Sequence, residues 1–253
     1  MFKKYWKFFV IFWSVVLVGI IGVFVFFWLI SAGKLGFMPT FEELENPNNR
    51  FASEVYFADG PIMNRYFEKE NRKYIEYREI PQSVIDALIA TEDVRFYDHS
   101  GVDVRGLFRV AKGLLTANTS AGGGSTISQQ LAKMLFPRES DLNVFELAIR
   151  KFREWVIAVR LEKSYTKEEI LTMYLNKYDF LNLAVGISSA ADIYFQVPLD
   201  SLKVEQAAML IGMAKNSSYY NPVRRPELTL NRRNVVLSQM YKYDKITREE
   251  CDS

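Results

Sequence analysis

The sequence predicts a mainly α-helical domain, preceded by a short β-hairpin and by one N-terminal helix long enough to cross a membrane. Three observations predict it. The first is a nearly unbroken apolar run over residues 8–30, where about 20 helical residues suffice to span a bilayer. The second is a pair of short segments, 53–57 and 62–67, flanking Ala58-Asp59-Gly60-Pro61. Alternation around Asp-Gly marks a hairpin. The third is the recurrence of apolar residues at helical spacing after Pro81.

In chain order, Lys3, Lys4 and Lys7 lie in a short tail, residues 1–7, while only Lys34 closely follows the run. The positive-inside rule keeps that tail in the cytoplasm and exports the chain beyond the anchor. The run exceeds the usual secretory h-region, and Ser31-Ala32-Gly33 makes only a weak cleavage site. An anchor is therefore favoured over a cleaved signal. Residues 31–49 read as a linker, because Gly36, Pro39 and Pro47 break any regular pattern. Residues 74–80 read as a further extended piece.

Helices follow. Val84, Ile85, Leu88 and Ile89 form one apolar face, and Val104, Leu107, Phe108, Ala111, Leu114 and Leu115 form another beside Arg105, Arg109 and Lys112. Periodicity alone leaves open whether that second face packs in the core or meets a membrane. Thr166 with Glu169 is a capping box opening a helix, and further helices are expected over 204–213 and 226–241. A single domain over 50–243 accounts for these elements. Thr247 with Glu250 caps one more helix, so residues 244–253 read as the start of a truncated following region.

Composition narrows the chemistry. The chain has 253 residues, 25% charged, and a formal net charge of +2, which argues against bulk nucleic-acid binding. One histidine, His99, and one cysteine, Cys251, exclude multi-His and Cys-based zinc sites and an intrachain disulfide. No Gly-x-Ser-x-Gly elbow and no P-loop occurs. Carboxylate chemistry remains.

Glu92 lies four residues after Leu88 and eight after Val84, on the apolar stripe of its helix. A carboxylate there lines a cleft or is paired, and partial desolvation would suit it to general-base work. Taken alone, an ordinary helix-ending salt bridge is the better explanation of it. The stretch Gly122-Gly123-Gly124-Ser125-Thr126 before a helix offers free backbone N–H groups as an anion seat, with Lys133 about two turns on. A plain surface turn is its alternative. Arg150, Lys151 and Glu154 fall at spacings of three and four, so they are neighbours on one helix.

Together these stretches resemble the peptidoglycan glycosyltransferases (family 51) of class A penicillin-binding proteins and monofunctional transglycosylases. Five motifs carry the resemblance. The first holds Glu92, Asp93, Phe96, His99 and Gly101. The second runs from Gly123 through Ser125, Thr126, Gln129 and Gln130 to Lys133, with Met134 in place of the usual Asn. Arg150, Lys151 and Glu154 are the third. The fourth contains Lys167, Ile170, Leu171, Tyr174, Leu175 and Asn176, and the fifth Gly186, Ala190, Ala191, Tyr194 and Phe195, with Gln196 replacing a common Gly. Leu181 also stands where many members have Gly.

The resemblance implies a lysozyme-like, bilobed domain whose second apolar helix belongs to a membrane-proximal jaw. It implies that Glu92 is the catalytic base and Glu154 a second functional carboxylate. Ser125, Thr126, Gln129, Gln130, Lys133, Arg150 and Lys151 would bind the donor and its pyrophosphate, while Asp93, Phe96, His99 and Asn176 would support the cleft. Glu154 would also be the place for a divalent cation (Mg2+ or Mn2+); no organic cofactor is implied. The partners implied are lipid II, the nascent glycan strand, membrane lipids and other cell-wall synthesis proteins. A lytic muramidase of similar fold, or a scaffold without turnover, is the competing reading.

Overall fold

The computed structural model describes residues 2–40, 53–56, 62–66, 71–116, 123–136 and 142–252. Helix α1, Phe2–Ser31, stands largely exposed, apolar and long enough by length and composition to cross a membrane. Its 30 residues span about 45 Å at 1.5 Å per residue. The expected hairpin follows: β1, Ser53–Tyr56, pairs antiparallel with β2, Ile62–Tyr66, with Ser53 opposite Tyr66.

The extended piece expected over 74–80 lies elsewhere. The strand is β3, Asn71–Arg72, paired in parallel with β4, Ala184–Val185, whereas Tyr77–Glu79 closes a 3-10 turn. Its partner comes from more than a hundred residues downstream, so local pattern carries no trace of it.

Helix α2, Gln82–Glu92, is the centre of the domain. Val84, Ile85, Leu88 and Ile89 are buried as their spacing predicted, against α8, Val204–Met213, and α9, Pro226–Lys242. Burying each such side chain stabilises by about 1.5–3 kcal/mol. The helix stops because Asp93 leaves helical geometry (φ −156, ψ 72) while its N–H still closes on Ile89 O. That stop puts Glu92 at the helix end.

Helix α3, Val104–Leu115, buries its glycines, Gly106 and Gly113, and exposes Val104, Ala111, Leu115 and Phe108, the last at 73%, while Leu107 and Val110 are half-buried. The core-packing alternative for this face does not hold. Helix α4, Ile127–Leu135, packs on α5, Val144–Ser164, and on α6, Lys167–Lys177. Capping boxes open α5 (Asn143, Glu146) and, as expected, α6, where Glu169 Oε2 accepts from Thr166 N at 2.7 Å. Helix α7, Ile187–Phe195, completes the wall, and the expected Thr247–Glu250 cap opens α10, Arg248–Asp252. Its N–H bonds hold the Glu250 carboxyl below its ordinary range.

The turn before β4 is strained. Leu181, Asn182 and Leu183 all have positive φ (66, 52 and 68). A non-glycine residue there costs about 1–2 kcal/mol. Leu181, which stands where glycine is common, adopts the left-handed conformation that glycine takes without strain. Leu181→Gly is expected to raise Tm by roughly 2–4 °C, since relief of about 1 kcal/mol moves a domain of this size that far. A lower Tm in a thermal melt would show that the leucine side chain contributes more than the strain.

Candidate active site

The site is built around the start of α4, and Asp93 sets that start. Its carboxylate accepts the N–H of Ile127 at 3.0 Å and pairs with His99 Nε2 at 3.0 Å. Gly101 donates its N–H to His99 Nδ1, which places the ring proton on Nε2, facing Asp93. Gly101 itself adopts φ +91, and a Cβ there would lie 2.7 Å from the backbone of Ala158. Only glycine permits that approach of the loop to α5.

Two residues expected on the donor side help hold this framework together. Thr126 is buried, donating its hydroxyl to Gly101 O at 2.7 Å and accepting the N–H of Gln129 as N-cap. Gln129 is buried too, its amide donating to Gly101 O and its oxygen accepting from Lys151 Nζ. Their polar atoms are hydrogen-bonded within the buried interior. The physical reason is that a helix start must satisfy its orphan N–H groups, which these residues do.

The supporting residues are placed in the same way. Phe96 is buried, with Lys167 Nζ 4.3 Å over its ring, and Lys167 also pairs with Glu162 and donates to His99 O. Asn176 clips α6 to the chain before α2. Its amide donates to Ile75 O at 2.9 Å and its oxygen accepts from Ile75 N at 3.0 Å.

Glu92 lies at the end of α2. Its side chain is 13% exposed and is held by two groups. Gln130 Nε2 donates to Oε2 at 2.9 Å, and Arg232 Nη2 donates to Oε1 at 3.2 Å. Gln130 is itself oriented, since Tyr174 donates its hydroxyl to Gln130 Oε1 at 3.1 Å. Burial, and then the nearby Glu92 charge, push the Tyr174 hydroxyl well above its ordinary range. It therefore remains a donor, which turns the amide nitrogen of Gln130 towards Glu92.

Arg232 is the residue the sequence reading missed. It reaches from α9, where Thr229, Val236 and Met240 form the buried stripe. Arg232 falls at the matching position of that stripe, between Thr229 and Val236. A cation on an apolar stripe requires a buried partner, and this is the signal that points to it.

One turn beyond Gln130 on α4, Lys133 meets Glu154 at 3.7 Å. Lys151 Nζ lies 3.1 Å from the same Glu154 oxygen and 2.9 Å from Ser125 Oγ. Arg150 precedes Lys151 on α5, half-buried. The two carboxylates thus flank one stripe of α4: Glu92 in a mostly closed pocket, Glu154 among ammonium groups. The donor set does not suit a divalent ion held by the protein alone. The Glu154 oxygen already faces two ammonium groups, and no cluster of three His, Cys, Asp or Glu side chains occurs among the described residues.

Comparison with known proteins identifies the family. The transglycosylase family model matches residues 59–241. Penicillin-binding protein 1A of Escherichia coli (strain K12) is 37% identical over 215 residues, which is 85% of this chain and 25% of that protein. Its namesake from Haemophilus influenzae is 37% identical over 225 residues, 89% of this chain and 25% of that protein. The crystal structure of penicillin-binding protein 1A from Haemophilus influenzae aligns with a TM-score of 0.44 at 23% identity, over 81% of this chain and 20% of that one. The chain spans about a quarter (25%) of the length of the curated relatives it matches. On the family match and these identities, the chain belongs to the transglycosylase family.

Proposed function

We propose that this chain is a peptidoglycan glycosyltransferase that polymerises lipid II into β-1,4-linked glycan in bacterial cell-wall synthesis. The observation that carries the reading is that α4 holds a positioned carboxylate through Gln130, which donates to Glu92 of α2, and one turn on contributes Lys133 to a cation group completed by Lys151 of α5. Glu92 takes the proton of the acceptor sugar's 4-hydroxyl. The freed oxygen forms a bond to C1 of the donor sugar while the C1–oxygen bond to undecaprenyl pyrophosphate breaks, with inversion. Lys133 and Lys151, with Arg150 on the same helix, stabilise the negative charge that develops on the departing pyrophosphate. Glu154 holds the two lysines in place between turnovers.

Both substrates carry long polyprenyl tails, so the cleft works at a membrane surface. Helix α1 serves as the anchor, with the lysine tail in the cytoplasm and the domain outside. The outward apolar face of α3 rests in the membrane interface. Other cell-wall synthesis proteins are its expected neighbours.

The test is to incubate the full chain with lipid II and, separately, with preformed glycan. Polymer from lipid II is the expected result. Shortened glycan without polymer would mark a lytic muramidase, and neither product would mark a scaffold.

A further inference from the structure

The outer end of α1 is not free of the domain. Burial along α1 is concentrated near its end, where Phe26, Phe27 and Leu29 are half-buried and Ile30 is fully buried. Phe26 and Phe27 meet Phe152 of α5 edge-on, at ring-centroid distances of 5.4 and 5.7 Å, and Phe152 continues onto Trp155 at 5.2 Å. Two turns on, Arg160 donates to Ser31 O at 2.8 Å, to Ser31 Oγ at 2.7 Å and to Pro39 O at 2.9 Å.

The chemistry of that contact is specific. The last carbonyls of a helix lack intrahelical partners and carry the negative end of its dipole. Arg160 supplies both the donors and the positive charge. The segment after α1 lies flush along α5 as well: a Cβ on Gly36 (φ +112) would fall 2.2 Å from Arg153 Nη1. Phe37 faces Phe136 at 6.3 Å, and Met38 packs on the core. The stretch expected to be a linker is therefore docked over residues 33–40.

Helix α5 also carries Lys151 and Glu154. At 3.6 residues per turn, Phe152 and Arg160 project from roughly the opposite side of the helix to those two. One helix thus has the anchor against one side and the cation group on the other.

We propose that Phe152 and Arg160 are positioning residues that lock α1 to α5, so that the anchor fixes the height and tilt of the cleft over the membrane. A tether would raise the local concentration of a membrane-bound substrate; a lock also presents the cleft at a single depth. The proposal rests on the glycosyltransferase reading for its activity assay, and on distance alone for its second assay.

In the first assay, Arg160→Ala with Phe152→Ala lowers polymerisation of long-chain lipid II in bilayers about tenfold, and changes the rate on a soluble short-chain analogue less than about twofold. Arg160→Lys, in an otherwise unaltered chain, keeps most of the bilayer rate. In the second, spin labels at Lys34→Cys and Lys163→Cys in a Cys251→Ser chain give a narrow distance distribution in bilayers, which the Arg160→Ala and Phe152→Ala changes broaden. Equal loss on both substrates, no loss in bilayers, or a distribution already broad in the parent chain would overturn the lock. Should the parent polymerise neither substrate, the glycosyltransferase reading fails instead, and the distance measurement still decides the proposal.

Discussion

Glu92→Gln is expected to lower the rate of lipid II polymerisation about a thousandfold while the domain stays folded, because a positioned general base contributes about 10²–10⁴-fold. Glutamine keeps the shape of the side chain and an oxygen to accept from Gln130 Nε2, which lies 2.9 Å from Glu92 now. It loses the ability to take the proton. The loss belongs in kcat, with KM little changed, since the ground-state contacts of the pocket persist. Single-turnover polymerisation beside a circular-dichroism melt separates the two effects. A variant that polymerises within tenfold of the parent would remove Glu92 from the role of base.

Arg232 carries the second large effect. Both members of the Glu92–Arg232 pair are nearly closed off, at 13% and 11% exposure. Removing one partner of such a pair leaves the other charge without compensation, which costs about 3 kcal/mol or more. Arg232→Met is therefore expected to lower Tm by roughly 6–12 °C. The double variant with Glu92→Gln should recover much of that loss, because a pair removed together leaves no bare charge. Additive losses in that cycle would show that Arg232 acts through its packing on Tyr220 and Gly212 and not through the carboxylate.

How far the sequence could be read follows from the range of each interaction. Thr166 with Glu169, Thr247 with Glu250 and the pairing of β1 with β2 are decided over short stretches, and all were legible; the Ala58-Asp59-Gly60-Pro61 turn lies outside the described residues. So was the buried stripe of α2, which periodicity alone defines. Strand β3 was not, because its partner is β4. Thr126 and Gln129 were assigned to the cleft because their motif is polar and begins a helix. Which way they point is set by the Gly101 carbonyl, 25 and 28 residues away. Arg232 is 140 residues from Glu92, and only a question about its own burial leads to it. Local chemistry was readable; the assignment of polar side chains to wall or cleft depended on contacts that folding brings together.

Glu92 and Asp93 are consecutive in the chain, yet they grip α4 at different places, through the amide of Gln130 and the backbone N–H of Ile127. Two attachments three residues apart restrain rotation of that helix as well as its position. An anion pressing on Lys133, one turn further along, therefore acts on a body to which the base is already fastened. On the proposed mechanism, arrival of the leaving group's charge at Lys133 and alignment of Glu92 become one mechanical coordinate, transmitted along α4.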